Sequence, residues 1–416
     1  MQHNRFRRTL LVLSLVATAS CNSLLAVDNP GRVTAASLND PGLMPILNAA
    51  ALQSAQCAFM QYAVTTGMLS GEYISANGFV DNHSWEWRGV REIQQAAGSC
   101  PGGRATTSLG FYTPAQQARF QLEDLHARLL TFTDAEVPGR QRMLAEANAY
   151  AGYMYVLLGE GMCEMTIDGG PKMTSAEVFA IAEKRFTDAI TVATAINDAS
   201  LLNMARVGRA RTRLDLGNLS GAASDASLVP AGFVRTAEFS EVTIARENRI
   251  FNLNVRANYI SVGPDYRNLQ VNGVPDPRVR VTNINRVGLD NVTPMWQQTK
   301  FTGSGAAPLT IASYAEAQLI LAEASTGQVA IDAINRVRAL SSIAPMTTPE
   351  PGTDIGPLVI EERRRQLFSE GQRFGDMLRK NLPFPSGVNR KGQTYSSLTC
   401  VPLPDVETRN NPNFKS

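Results

Sequence analysis

Apolar residues recur at helical spacing along most of the chain. Residues 43–68 are rich in Ala, Leu and Met, with no proline after Pro45, which predicts a long helix. Leu122, Leu125, Leu129 and Leu130 share one face of a helix expected over 114–133. Thr113 is placed as its N-cap and Pro114 at its first position, where a missing N–H costs nothing. Ala145, Ala149, Tyr150, Tyr153, Val156 and Leu157 form the buried side of a helix over 138–162, closed by Gly159 and Gly161. Thr174 followed by Glu177 has the form of a capping box opening a helix to about Ile196.

Residues 203–230 read as two antiparallel helices. Met204, Val207, Ala210 and Leu214 lie on the first, Gly217 and Asn218 make the turn, and Ala222, Ala226 and Val229 lie on the second, which stops at Pro230. Small residues at the crossing, a glycine turn and a closing proline form a tetratricopeptide-like pattern. A second such pair is expected at 311–340, with Gly327 at the turn, and 138–196 can supply a third. The fold class expected is mostly α: helix hairpins forming a superhelical scaffold, with long irregular inserts and a few short strands.

Two regions break the helical period. Residues 70–113 are rich in Gly, Ser, Asn and aromatics, and residues 230–310 in Asn, Val, Thr, Pro and Arg. Long irregular inserts in a compact body usually carry function. The first contains Tyr73, Asn77, Asp81, Trp85, Trp87 and Arg88, and two of the three tryptophans of the protein. In a strand-like stretch Trp85 and Trp87 face the same side and could form a stacking platform; the competing reading puts one or both in the core. Trp296, in the second insert with Tyr259, Tyr266 and Arg267, is the other candidate, with core packing as its alternative. The Pro- and Asn-rich tail from 381 to 416 is expected to be extended and packed over the surface.

The chain starts with Arg5, Arg7 and Arg8, then a short apolar run, then Thr18-Ala19-Ser20-Cys21. This has the form of a secretory signal peptide over 1–20 with a lipobox-like end, making Cys21 the lipidated mature N-terminus; ordinary cleavage near Ala19 is the alternative. Acyl chains on Cys21 anchor by burying CH₂ groups in one leaflet, at ~0.8 kcal/mol each. Loss of three arginines and no acid takes the formal charge from +2 to −1, so nothing favours a nucleic-acid partner. Cys57, Cys100, Cys163 and Cys400 remain. In an exported chain they allow two disulfides in three pairings. Cys57–Cys100 and Cys163–Cys400 are favoured, the second stapling the chain end to a helix, with free buried thiols as the alternative.

Three further segments resemble one family. They are Tyr314-Ala-Glu316 through Ala324 with Asn335-Arg336-Val-Arg338; Glu362-Arg363-Arg364-Arg365 through Glu370-Gly371-Gln-Arg373-Phe374-Gly-Asp376; and Val401-Pro402-Leu403-Pro404 with Asn410-Asn411-Pro412-Asn413-Phe414. In that order they resemble the SusD/RagB family of outer-membrane nutrient-binding lipoproteins, with Gln366 and Phe374 departing from the usual Glu and Trp. The resemblance implies one domain over 21–416, with the helical scaffold at about 114–229 and 311–380 and the ligand side in the inserts at about 70–113 and 230–310. It implies a lipid anchor in the outer membrane facing the cell exterior, and capture of an oligosaccharide, or in some members a peptide. The cargo would pass to a SusC-like TonB-dependent transporter. A tetratricopeptide-type protein scaffold is the alternative from outside the family.

An enzyme is not expected, and neither a cofactor nor a metal is called for. No H-E-x-x-H motif, G-x-S-x-G elbow or G-x-x-x-x-G-K-[ST] loop occurs. A glycoside hydrolase needs only two carboxylates about 5–9.5 Å apart, so it stays as a lesser alternative. The Glu362–Asp376 charge run is read as structural, with Glu362–Arg365, Glu370–Arg373 and Arg373–Asp376 pairing along a helix.

Overall fold

In the computed structural model the described residues are 37–91, 98–100, 109–301, 303–350 and 352–414, the side chains of Asp81 and Ala245 excepted. Cys21 and the expected signal peptide lie outside them. Residues 37–43 belong to a small N-terminal unit and carry two short 3₁₀ turns, Ser37–Asn39 and Pro41–Leu43. Residues from Met44 onward form the second unit, described below.

Its helices are α1 (Met44–Leu69), α2 (Val80–Trp87), α3 (Tyr112–Leu130), α4 (Arg140–Gly161), α5 (Ser175–Ala195), α6 (Ala199–Asp215), α7 (Leu219–Ser227), α8 (Tyr314–Glu323), α9 (Gly327–Leu340), α10 (Gly356–Gln366), α11 (Arg373–Arg379) and α12 (Asp405–Arg409). From α3 to α7 each packs chiefly on its neighbours in sequence, α1 closes against α3 and α4, and α8 joins α7 to α9 and α10. This is the expected mostly-α stack of hairpins. Thr174 and Glu177 form the capping box of α5. The start of α3 differs from expectation: it begins at Tyr112 after Phe111, so Thr113 is already helical.

Close approach of the helices depends on glycine. The buried Phe186 ring of α5 lies between Gly152 of α4 and Gly208 of α6; a Cβ would sit 2.8 Å from the ring at the first and 2.3 Å at the second. Only hydrogen at these two positions lets the three helices share one aromatic ring.

Short strands fill the inserts as antiparallel pairs. β1 (Tyr73–Ser75) pairs with β3 (Ile260–Val262), and β2 (Val234–Ala237) with β8 (Leu309–Ser313). β4 (Gln270–Val271) pairs with β5 (Val274–Pro275), and β6 (Val281–Val287) with β7 (Pro294–Gln298). β1 with β3 therefore ties the two inserts together. Cys57 is bonded to Cys100, and Cys163 to Cys400.

The charge run at 362–376 is structural in a way the sequence reading did not foresee. The helix breaks after Gln366, and Gly371 has a φ of 75°. Some of its charges then pair across the fold and others within one helix turn. Glu362 accepts from Arg278 (2.5 Å) and Arg338 (2.9 Å), while Asp376 accepts from Arg363 (2.8 Å) and Arg379 (2.7 Å). Glu370 meets Lys300 at 2.6 Å. Glu160 of α4 accepts two bonds from Arg211 of α6 (2.6 and 2.7 Å) and one from the Tyr62 hydroxyl of α1 (2.9 Å). Glu160, Arg211, Arg278, Arg338, Glu362, Arg363 and Asp376 are buried, and removing one partner of a buried pair costs about 3–5 kcal/mol because the other charge is stranded.

Candidate functional site

A cleft of about 530 Å³ opens beside the middle of α1, within the size range of sites for small organic ligands. One wall is a single face of α1, bearing Gln53, Gln56, Cys57, Met60 and Gln61. Such residues share a side because they recur every three or four positions. The second wall is chain from the second insert, Glu238–Ser240 with Ile244, Arg246, Glu247 and Arg249, and a third is Ser99 and Cys100 of the first insert. Both irregular regions therefore reach this cleft.

The second wall is held from behind. Asn248 N–H donates to the Gly305 carbonyl (2.7 Å) and its side chain to the Ala307 carbonyl (2.9 Å). Gly305 N–H donates to Glu241 (2.7 Å), and Glu247 accepts from Arg256 (2.5 Å) and Asn252 (2.8 Å). Across the cleft, Arg246 donates to Gln53 Oε1 at 2.7 Å. Burial pulls the Arg249 guanidinium below the usual arginine range, with Glu247 acting against that shift.

Gln61 differs from its neighbours. Its Nε2 donates to the Ser99 carbonyl at 3.1 Å, which fixes the orientation of the amide. Its Oε1 has no hydrogen-bond partner among the described residues, although the side chain is only 5% exposed. A buried acceptor left open costs about 1–3 kcal/mol. Two carboxylates and two guanidiniums line the cleft, with Phe239 as the ring among its described lining residues. With Ala49, Leu52, Met60 and Ile244 also on its walls, that lining suits an amphipathic molecule of low net charge.

None of the seven residues singled out from the sequence is among the described residues lining this cleft. The stretch expected to be strand-like is partly α2, so Trp85 and Trp87 lie about 200° apart around a helix and do not share a side. Trp85 is 1% exposed and packs near Phe111, with ring centroids 6.3 Å apart. Trp87 is half-buried, its ring against Gly89. Tyr73 is buried, with its hydroxyl bonded to Ser369. Asn77 is buried too: its Nδ2 donates to the Tyr259 carbonyl (2.8 Å) and its Oδ1 accepts from Phe79 N–H (2.7 Å). Trp296 is half-buried in β7 beneath the Arg267 guanidinium, 5.3 Å from the ring centroid. Asp81 lies in α2, and its side chain is outside the described set.

Arg88 explains what this insert does instead. It ends α2 in the left-handed region and donates to the carbonyls of Leu398 (2.9 Å), Pro385 (2.7 Å) and Ser396, with its guanidinium near the rings of Phe384 and Tyr395. Beside it Arg390 bonds Glu86, and Lys391 bonds Asp290 (2.6 Å). The first insert is a berth for the C-terminal tail. The cleft residues carried a fainter signal: Gln53, Gln56 and Gln61 form a run of amides on a largely apolar helix, with a cysteine inside it.

No family model matches the chain, and no curated protein matches it in sequence. Solved structures do. A SusD superfamily protein from Bacteroides fragilis aligns at 15% identity with a TM-score of 0.66, covering 89% of this chain and 99% of its own. A SusD-like carbohydrate binding protein from Bacteroides vulgatus aligns at 15% with a TM-score of 0.64, covering 90% and 97%. A laminarin binding SusD-like protein aligns at 13% with a TM-score of 0.54, covering 88% and 98%. At these identities the likeness establishes the fold: this chain has the architecture of the SusD superfamily. Among the described residues no helix is long and apolar enough to cross a membrane, and no cluster of potential metal ligands occurs.

Proposed function

We propose that the protein is a surface capture protein that holds an oligosaccharide in the cleft beside α1, without cleaving it, and hands it to a TonB-dependent outer-membrane transporter. Acylation at Cys21 would keep it on the outer membrane, facing outward. The observation that carries this reading is the placement of the cleft: both irregular inserts reach one concave site, lined by apolar and polar side chains, on a body with the SusD-like fold. Solved structures of this fold described as carbohydrate binding and laminarin binding support the ligand class. The open acceptor on Gln61 suits a hydroxyl donor.

One observation favours a second reading. The described cleft lining pairs amides with charges of both signs, and Phe239 is its one ring. Amide and charge chemistry also matches a peptide backbone with mixed side chains.

Titration calorimetry with laminarin oligosaccharides and, separately, with a tryptic peptide mixture decides between the two. Saturable laminarin retention, with no release of reducing ends, supports the glycan reading. Retention of peptides alone transfers the proposal to the second reading. Release of new reducing ends sinks the capture reading altogether. Mass analysis of the mature N-terminus tests the anchor, since an unmodified Cys21, or cleavage elsewhere, removes it.

A further inference from the structure

Two side chains on one turn of α1 hold the same short piece of chain. Cys57 is bonded to Cys100, and Gln61, four residues on and on the same face, donates to the carbonyl of Ser99. Ser99 and Cys100 both line the cleft, and so do Cys57 and Gln61. Just upstream, Gly98 crosses the backbone of Gly110 so closely that a Cβ would lie 2.3 Å from the Gly110 carbonyl oxygen. The far side of α1 buries Ala51, Ala55, Ala58, Phe59 and Tyr62 in the main core. Among the described residues, this third wall is tied to α1 by the disulfide and by the Gln61 hydrogen bond.

We infer that the Cys57–Cys100 disulfide, seconded by Gln61, is the positioning element of the cleft, and that the shape of the cleft depends on the redox state of this bond. The inference rests on the capture reading only for its effect on ligand; the effect on the wall stands apart. Reduction by a dithiol is a balanced exchange. One thiolate of the reductant attacks a disulfide sulfur and forms a mixed disulfide. Its second thiolate then displaces the remaining sulfur, leaving two cysteine thiols and the cyclic oxidised reductant. Once the disulfide is open, the tie that remains between Ser99 and α1 among the described residues is the hydrogen bond from the Gln61 amide. Cys163–Cys400 plays a different part, fixing the tail to the end of α4 where Cys163 N–H donates to the Val401 carbonyl at 2.9 Å.

The test compares the full protein with its Cys57→Ser/Cys100→Ser and Cys163→Ser/Cys400→Ser forms, each shown to be folded by circular dichroism. The first pair should raise amide exchange in peptides spanning 98–100 by about tenfold, as expected when a local tie is lost. The second pair should leave that segment unchanged. Dithiothreitol on the unmodified protein should reproduce the first result. Laminarin-oligosaccharide retention should weaken by about tenfold in step with the exchange. Unchanged exchange at 98–100 in the first variant overturns the inference. So does unchanged retention with the wall freed. Should laminarin bind no form at all, the glycan reading falls, while the exchange measurement still decides whether the bond positions the wall.

Discussion

The insert around residues 73–88 and the cleft beside α1 are both rich in polar groups, yet only one is open. The insert carries two of the three tryptophans but lies under the tail, with Arg88 bonded to three tail carbonyls and Trp85 sealed in the core. The cleft has no tryptophan among its described lining residues, but it is concave and leaves the Gln61 acceptor free. Composition does not separate a binding surface from a berth for the protein's own chain. What separates them is whether the chain has already covered the groups.

The comparison is broken most severely at Trp85. Trp85→Ala should lower stability by about 3–5 kcal/mol, as truncating a buried aromatic does. Denaturant titration measures this; a loss below ~1 kcal/mol would return Trp85 to the surface and restore the stacking platform.

Proton linkage gives the next effect. Burial pushes Glu72, Asp215 and Glu316 up to about 7, with Glu160 adding to the shift at Asp215. In the unfolded chain these groups lose their protons near their ordinary values, while the folded protein keeps them until about pH 7. The folded state therefore binds more protons between those limits. Stability should fall as pH rises from about 4.5 to 7 and level off above, each of the three groups contributing on the order of 1 kcal/mol per pH unit. The opposite case is Asp376. Burial works against its charge, but Arg363 and Arg379 hold it at about 2. Its contribution is present above its ordinary value and is lost as pH falls toward 2. Urea midpoints at pH 5 and pH 8 check the first window, and Glu316→Gln should flatten the slope.

Arg88→Ala tests the berth. Removing a guanidinium that serves three carbonyls should cost about 1–3 kcal/mol and expose the 384–398 segment to protease, with laminarin retention unchanged. A loss of retention at native stability would place the ligand at the insert instead. The smallest expected change is at Gln61. Gln61→Leu keeps the volume but removes both the Ser99 tie and the open acceptor. It should weaken laminarin-oligosaccharide retention by about tenfold, the worth of roughly one hydrogen bond, with little change in the denaturant midpoint.

Much of the helical body was legible from residues alone. Helical period, the Thr174–Glu177 capping box and small residues at crossings are local signals, set by neighbours within a few positions. The 362–376 charges were read correctly as structural, but most of their partners are not the ones three residues along the chain. Glu362 meets Arg278, eighty-four residues away, and no spacing rule along one helix reaches that far. The candidate site suffered the same limit: a tryptophan in a polar loop looks alike whether it faces water or Phe111.

The sequence by itself determined the mostly-α hairpin scaffold, the two interruptions and the supply of cysteines, because backbone propensity and apolar period act over one or two turns. Only the tertiary structure decided which insert is covered by the tail, which sulfurs meet and which face of α1 borders open space. Those outcomes depend on segments tens to hundreds of residues apart arriving at one place, and burial is a property of that arrival.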